Sequence, residues 1–251
     1  MVYKVCEEGR YNPITHKNYE KMRSANIYKL PKYKRIFKPN EFYMSNKDKL
    51  DGVWKKYVMA LNKIGIKDED IGIFGSYLIG FDITKDVDFV IYGIDNLKKY
   101  YDNVNFVRDY IGATSITEDH INAQYLKNKD LYNKNCDLLK IIGRNWSGVQ
   151  IRKGVLSTPR FIDRNFMEIP YDNSKREVIH CNVINGLTTA LLPRRAEVMI
   201  DNERYTIMSN LWKYQSFLQD GDEIECYGNI DRENKIVTLY DSNCYVKFLN
   251  S

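Results

Sequence analysis

The chain has 251 residues, 43% of them hydrophobic, and a formal net charge of +5. That length suits one large domain or two smaller ones, and that apolar share supplies a real core, which excludes a disordered chain. The modest positive charge permits a nucleotide or nucleic-acid partner without demanding one. Five scattered cysteines form no CxxC pair, which argues against a structural zinc site and for reduced thiols in a cytoplasmic protein. With no apolar N-terminal signal and no run of roughly eighteen apolar residues, neither export nor membrane spanning is expected. Oligomeric state has no signature in the sequence.

The first forty residues hold ten Lys and Arg but three Asp and Glu. Within them YKLPKYKRIFKP interleaves Lys32, Lys34 and Arg35 with aromatic residues. This segment reads either as a nucleic-acid-binding arm or as a short edge hairpin with snorkelling lysines. From Ser45 the spacing of Leu50, Val53, Trp54, Tyr57, Val58, Leu61 and Ile64 predicts one amphipathic helix ending at Gly65. Gly72 to Phe74 reads as a strand, Ser76 to Phe81 as a helical turn and Val87 to Tyr92 as a second strand. A helix is expected over Asn96 to Ile111 with Gly112 past its end, and another over Thr117 to Leu126, capped by Thr117.

Residues 131–142 fit a helix or a buried strand, GRNWSGVQIRKG reads as a basic loop, and RFIDRNFMEI reads as a strand. The polar stretch Tyr171 to Glu177 is a domain boundary candidate. Beyond it, Val178 to Ile184, Ala196 to Ile200, Arg204 to Met208, Glu223 to Tyr227, Lys235 to Leu239 and Cys244 to Phe248 all have strand texture, with Asp201-Asn202 as a hairpin turn. The expected organisation is a basic, aromatic segment (1–44), an α/β core of a small mixed sheet with helices (45–172), and a small β-barrel, OB-like in texture (173–251).

The chemistry concentrates in GIFGSYLIGFDITKDVDFVIYG, Gly72 to Gly93. Side chains on a strand alternate, so Asp86 and Asp88 project from one face. Two carboxylates there repel unless a cation sits between them, and hard oxygen donors suit Mg²⁺ shared with substrate phosphates. The Gly75-Ser76 pair lets backbone N–H groups and a hydroxyl approach a phosphate. Arg144, Asn145, Arg152 and Lys153 form a basic loop that binds triphosphate or a polynucleotide backbone, or is simply solvated. Trp212, Tyr214 and Phe217 read as core ahead of base stacking, and Pro193-Arg194-Arg195 as a charged turn.

The pattern Gly75-Ser76, a gap, then Asp86-Val87-Asp88-Phe89 resembles the signature of the DNA polymerase β-like nucleotidyltransferase superfamily. Asp70-Ile71-Gly72, Leu78-Ile79-Gly80 and the run to Gly93 are more narrowly similar to a group of prokaryotic, largely archaeal, nucleotidyltransferase-like proteins of obscure substrate. That group has an Arg-x-Asn-like loop, which Arg144-Asn145 resembles, and a small C-terminal β-domain. The resemblance implies an NTP substrate, with two Mg²⁺ (or Mn²⁺) ions held by Asp86, Asp88 and a third carboxylate, and outer phosphates held by Gly75 N–H and the Ser76 hydroxyl. Asp163 and Asp137 both qualify as the third acid. The implied reaction transfers a nucleoside monophosphate to a hydroxyl on RNA, DNA or protein and releases pyrophosphate. The alternative is a nucleic-acid-binding protein that keeps a degenerate, non-catalytic core.

Overall fold

A computed structural model describes residues 3–6, 33–50, 52–78, 87–114, 117–128, 148–152, 155–164, 176–209, 214–240 and 243–249. They belong to two compact units, one holding the described residues of 3–114 and 148–164, the other those of 117–128 and 176–249.

The first unit opens with an antiparallel pair, β1 (Tyr3–Cys6) and β2 (Tyr33–Phe37). Helix α1 (Pro39–Asn46) begins on proline, whose fixed φ and missing N–H suit a first helical turn. The single helix expected from Ser45 is instead two. Helix α1 ends at Asn46, a tight 3-10 turn follows, and α2 occupies Gly52–Lys63. Leu50 fits the apolar spacing because it is buried, but it is extended (φ −68°, ψ 133°) and stands between the helices. At the far end of α2, Gly65 takes φ +83°, and Gly65 N–H and Ile66 N–H close onto the carbonyls of Asn62 and Leu61. This is a Schellman stop, which needs the left-handed residue that glycine supplies.

The helix expected over Asn96 to Ile111 is also divided, into α4 (Ile94–Asp102) and α5 (Val104–Ile111). Asn103 leaves helical geometry (φ −123°, ψ 15°), and its side-chain amide donates to the Lys99 carbonyl at 2.8 Å. A short amide side chain competing for backbone acceptors interrupts a helix in this way.

Strand β3 (Ile71–Phe74) runs antiparallel to β4 (Asp88–Tyr92), with Phe74 opposite Asp88 and Ile71 opposite Ile91. On the other side β4 lies parallel to β7 (Arg160–Ile162), Val90 opposite Arg160 and Tyr92 opposite Ile162. The helical turn α3 (Gly75–Leu78) leaves β3 directly. Between α5 and β7 in the sequence, Val149–Arg152 (β5) and Val155–Ser157 (β6) pair antiparallel, so the basic segment read as a loop contains a strand.

Period-two alternation gives the strands β3, β4 and β7 two faces. One carries Ile71, Ile73, Phe89, Ile91 and Phe161, all fully buried. Helices α2 and α4 cover it: Tyr57 and Trp54 meet Phe89 at ring separations of 4.9 and 6.3 Å, Tyr100 meets Phe161 at 5.3 Å, and the Tyr57 and Tyr100 hydroxyls bond at 3.2 Å. Burial pushes both phenols well above their ordinary range, so they stay neutral.

A polar clasp joins α1 and α2 to the turn before β3. Asp68 accepts from Tyr43 Oη at 2.8 Å and Asn62 Nδ2 at 3.1 Å, and pairs with Lys47 Nζ at 2.6 Å. Partial burial alone would raise the Asp68 pKa, but the Lys47, Tyr43 and Asn62 hydrogen bonds and the Lys47 charge outweigh it and hold the carboxyl below its ordinary value. A depressed folded pKa stabilises above the unfolded value, about 3.9, and that stability is lost as pH falls through the folded value. Urea midpoints measured against pH should therefore fall below about pH 4. Asp68→Asn should be less stable than the wild type at neutral pH and show a shallower acid slope. An unchanged slope would contradict this assignment.

The second unit contains α6 (Glu118–Asn128) and a barrel. Helix α6 starts one residue after Thr117, whose carbonyl accepts from Ile121 N–H. The strands that follow are β8 (Arg176–Asn185), the two-residue β9 (Leu191–Leu192), β10 (Arg194–Ile200), β11 (Glu203–Ser209), β12 (Glu223–Asp231), β13 (Ile236–Thr238) and β14 (Tyr245–Phe248). The order β8-β10-β11-β13-β12 closes on β8, giving a five-stranded barrel in which only β11 and β13 pair in parallel. Strand β14 pairs with the first half of β12. Strict alternation on β10 sends Ala196, Val198 and Ile200 inward, where they join Ile179, Cys181, Val183, Tyr205, Ile207, Ile224, Cys226 and Val237.

Asp201 and Asn202 both have positive φ (49° and 66°), as a two-residue hairpin turn of the primed type requires. Tyr214 and Phe217 are buried against each other with rings 5.0 Å apart, and Tyr214 Oη donates to the Cys244 carbonyl at 2.8 Å. They are core residues, and Trp212 lies outside the described residues. Arg194, read as part of a charged turn, is instead 2% exposed on β10, with Nη2 donating to Gln215 Oε1 at 3.1 Å.

Candidate active site

The second face of β3, β4 and β7 holds Gly72 and Phe74 on β3, Asp88, Val90 and Tyr92 on β4, and Arg160 and Ile162 on β7. The antiparallel register that pairs Phe74 with Asp88 also sets the next residue, Gly75, against the Asp88 carboxylate. A methyl group at Gly75 would overlap Asp88 Oδ2 and come within 3.2 Å of its Cγ. Gly75 also takes φ +74°, a conformation that costs other residues about 1–2 kcal/mol. The bare Cα and the turn are thus both required for the loop to touch the acid. Gly75→Ala should lose at least about 1–2 kcal/mol in urea unfolding and displace Asp88. Unchanged stability would show that the turn relaxes without strain.

Asp88 is half-buried, and Tyr92 and Arg160 on the same face are half-buried as well. Arg160 starts on β7, two strands from Phe74, yet its guanidinium carbon lies 5.4 Å from the centre of the Phe74 ring. Its side chain therefore reaches across β4 on the face that bears Asp88. The stacking is a cation–π contact and keeps the guanidinium at a defined height over the sheet.

The remaining expected site residues separate into three groups. Ser76 is in α3, Lys34 and Arg35 are on β2, and Arg152 is on β5. Asp86, Asp137, Arg144, Asn145, Lys32 and Lys153 lie outside the described residues. Asp163 is placed, and the register does not bring it to Asp88. It follows Ile162, the partner of Tyr92, at the opposite end of β4. Asp88 and Tyr92 stand four residue steps apart, about 13 Å of strand, so one ion cannot bridge Asp88 and Asp163. A flanking apolar pattern identifies a carboxylate beside a strand, but only the pairing register says at which end.

That same end binds Asp70, part of the Asp70-Ile71-Gly72 motif, in an ion pair with Arg164. Close packing explains Gly72: a Cβ there would lie 2.8 Å from Pro39 Cβ and 3.1 Å from Asn40 N. The Asn40 amide donates to the Glu69 and Ile71 carbonyls at 2.9 and 3.0 Å, tying α1 to the start of β3. Both motif residues therefore have structural work away from the acid.

Sequence reasoning missed Arg160. Its signal was present in the strand RFI: an alternating strand beside β4 presents Arg160 and Ile162 to one face and Phe161 to the other. The chemistry available on this face is a carboxylate held against a glycine turn, with a guanidinium above the same sheet. Among the described residues no group of three His, Cys, Asp or Glu is placed to hold a metal ion. Asp88 itself is a hard oxygen donor of the kind that Mg²⁺ or Mn²⁺ takes. No protein family, curated protein or solved structure matches the chain.

Proposed function

We propose that the protein is a nucleotidyltransferase that moves a nucleoside monophosphate from an NTP to a hydroxyl acceptor. The observation that carries this reading is the seating of the Gly75 turn against the Asp88 carboxylate on one sheet face. A turn stripped of its side chain seats its backbone directly against a carboxylate, the pairing of groups that phosphate oxygens and a cation would use. Asp88, with Asp86 two residues before it, would hold Mg²⁺ or Mn²⁺, and the ion would supply positive charge against the triphosphate. The resemblance in the Gly75-Ser76 and Asp86-Asp88 spacing supports the same assignment.

In the proposed reaction the acceptor hydroxyl oxygen attacks the α-phosphorus. The bond from that phosphorus to the bridging oxygen breaks, pyrophosphate leaves with the electron pair, and the hydroxyl proton passes to solvent. Gly75 and Ser76 orient the outer phosphates, and Asp88 fixes the charge at the reacting end. A second ion on a third acid finds no support at Asp163.

The barrel supports the choice of a nucleic-acid acceptor. Its order, with the first strand joined to the second and fourth and the third parallel to the fifth, supports an OB-like reading. Such barrels bind oligonucleotides and oligosaccharides. The same observation favours the second reading, a nucleic-acid-binding protein whose transferase core is silent. A protein acceptor fits the small catalytic unit.

The test is incubation with each NTP, Mg²⁺ or Mn²⁺, and RNA, DNA or protein. Transfer that the Asp86→Ala, Asp88→Ala double variant lacks supports the enzyme. Polymer binding that both proteins share and that weakens with salt, without transfer, supports the binding protein. No helix among the described residues is long and apolar enough to cross a membrane.

A further inference from the structure

We infer that Arg160 grips the outer phosphates of the NTP beside Asp88, adding a charged contact to the Gly75-Ser76 turn, an assignment that rests on the nucleotidyl-transfer reading. Three observations converge on it. The parallel register sets Arg160 opposite Val90, on the face that carries Asp88. Its guanidinium lies over Phe74, the residue paired with Asp88, at 5.4 Å from the ring centre. And β7, the strand beside β4, begins with this cation opposite Val90, two residues from Asp88, while Asp163 falls at the opposite end.

Arginine suits the role because its planar fork gives paired N–H donors to phosphate oxygens and keeps its charge at any working pH. The Phe74 ring supports the guanidinium and fixes the fork's height, so little side-chain freedom is lost on binding. Phe74 is 6% exposed and fully packed, which makes it a rigid support. A carboxylate-bound cation and a guanidinium on one face then grip a triphosphate from two sides. A monophosphate, which lacks the outer phosphates, is gripped from one.

The bland alternative is that Arg160 only shields the Phe74 ring, and the experiment separates the two. Equilibrium dialysis would measure the affinity of the wild type, Arg160→Met and Arg160→Lys for ATP, GTP, CTP and UTP and for the matching monophosphates. Methionine keeps a flexible apolar stem over Phe74, and thermal melting reports the fold. Arg160→Met is expected to weaken binding of the preferred NTP by about ten- to a hundredfold, the worth of a charge-assisted hydrogen bond. Monophosphate affinity should change little, and Arg160→Lys should fall between. If Arg160→Met does not fold, the ratio of NTP to monophosphate affinity in Arg160→Lys decides, a ratio equal to the wild type's overturning the assignment.

Equal NTP binding by wild type and Arg160→Met, or equal losses of NTP and monophosphate, would overturn the role of Arg160 and leave the transferase reading standing. A wild type that binds no NTP at all would overturn both.

Discussion

Asp88→Asn is expected to reduce nucleotidyl transfer by about a hundredfold or more, the scale on which loss of a preorganised charge-stabilising group acts. The substitution keeps shape and removes charge. Asparagine fits the space beside Gly75 and can still accept a hydrogen bond, so the sheet and turn should persist, with an unchanged circular dichroism spectrum. What disappears is the negative oxygen that attracts a divalent cation. Raising Mg²⁺ or substituting Mn²⁺ should recover part of the loss, because the weakened ligand set then fills by mass action. A variant with wild-type transfer rates would show that chemistry occurs elsewhere in the chain.

Phe89→Ala has the largest expected effect on stability, about 3–5 kcal/mol. Phe89 is fully buried on the helix-facing side of β4, where it meets the Trp54 and Tyr57 rings. Its removal takes away a ring that both of them meet, and the flanking fully buried residues Ile73 and Ile91 cannot fill a ring-sized void without moving the strand. The loss includes a cavity term as well as a transfer term. Because Phe89 adjoins Asp88 on the chain, the variant should also lose transfer activity near its own unfolding midpoint. Equilibrium unfolding in urea measures the difference. A loss below about 1 kcal/mol would mean that α2 does not derive its seat from this ring.

Much of the fold was legible because two periodicities carry most of the information. The alternation in DFVIY sets Phe89 and Ile91 against the helices and Asp88 and Val90 on the other face, and the three- and four-residue spacing of Trp54, Tyr57, Val58 and Leu61 marks the stripe that meets them. The Asp201-Asn202 turn was legible because few residue pairs tolerate two positive φ values. The helix breaks at Leu50 and Asn103 were not, because a buried residue outside a helix keeps the same spacing as one inside it. Arg194 in the barrel wall defied its composition: only the inward phase of β10 turns a basic residue to the interior. At the site, Gly75 and Asp88 were legible as neighbours because one hairpin joins them. Asp163 misled because local pattern ranks acids by their flanks, whereas the parallel pairing of β7 with β4 decides which end of the sheet they reach. That same pairing is what brings Arg160 to the site.

The most direct test of nucleotidyl transfer is the fate of two labels in one reaction, with the preferred NTP labelled in parallel at the α- or the γ-phosphorus and offered with a mixed pool of RNA, DNA and protein. In nucleotidyl transfer the α-label joins an acceptor, the γ-label leaves as pyrophosphate, and Asp88→Asn suppresses both. A γ-label found on the acceptor would make the protein a phosphotransferase, and no transfer of either label, with polymer binding retained, would make it a nucleic-acid-binding protein with a silent core.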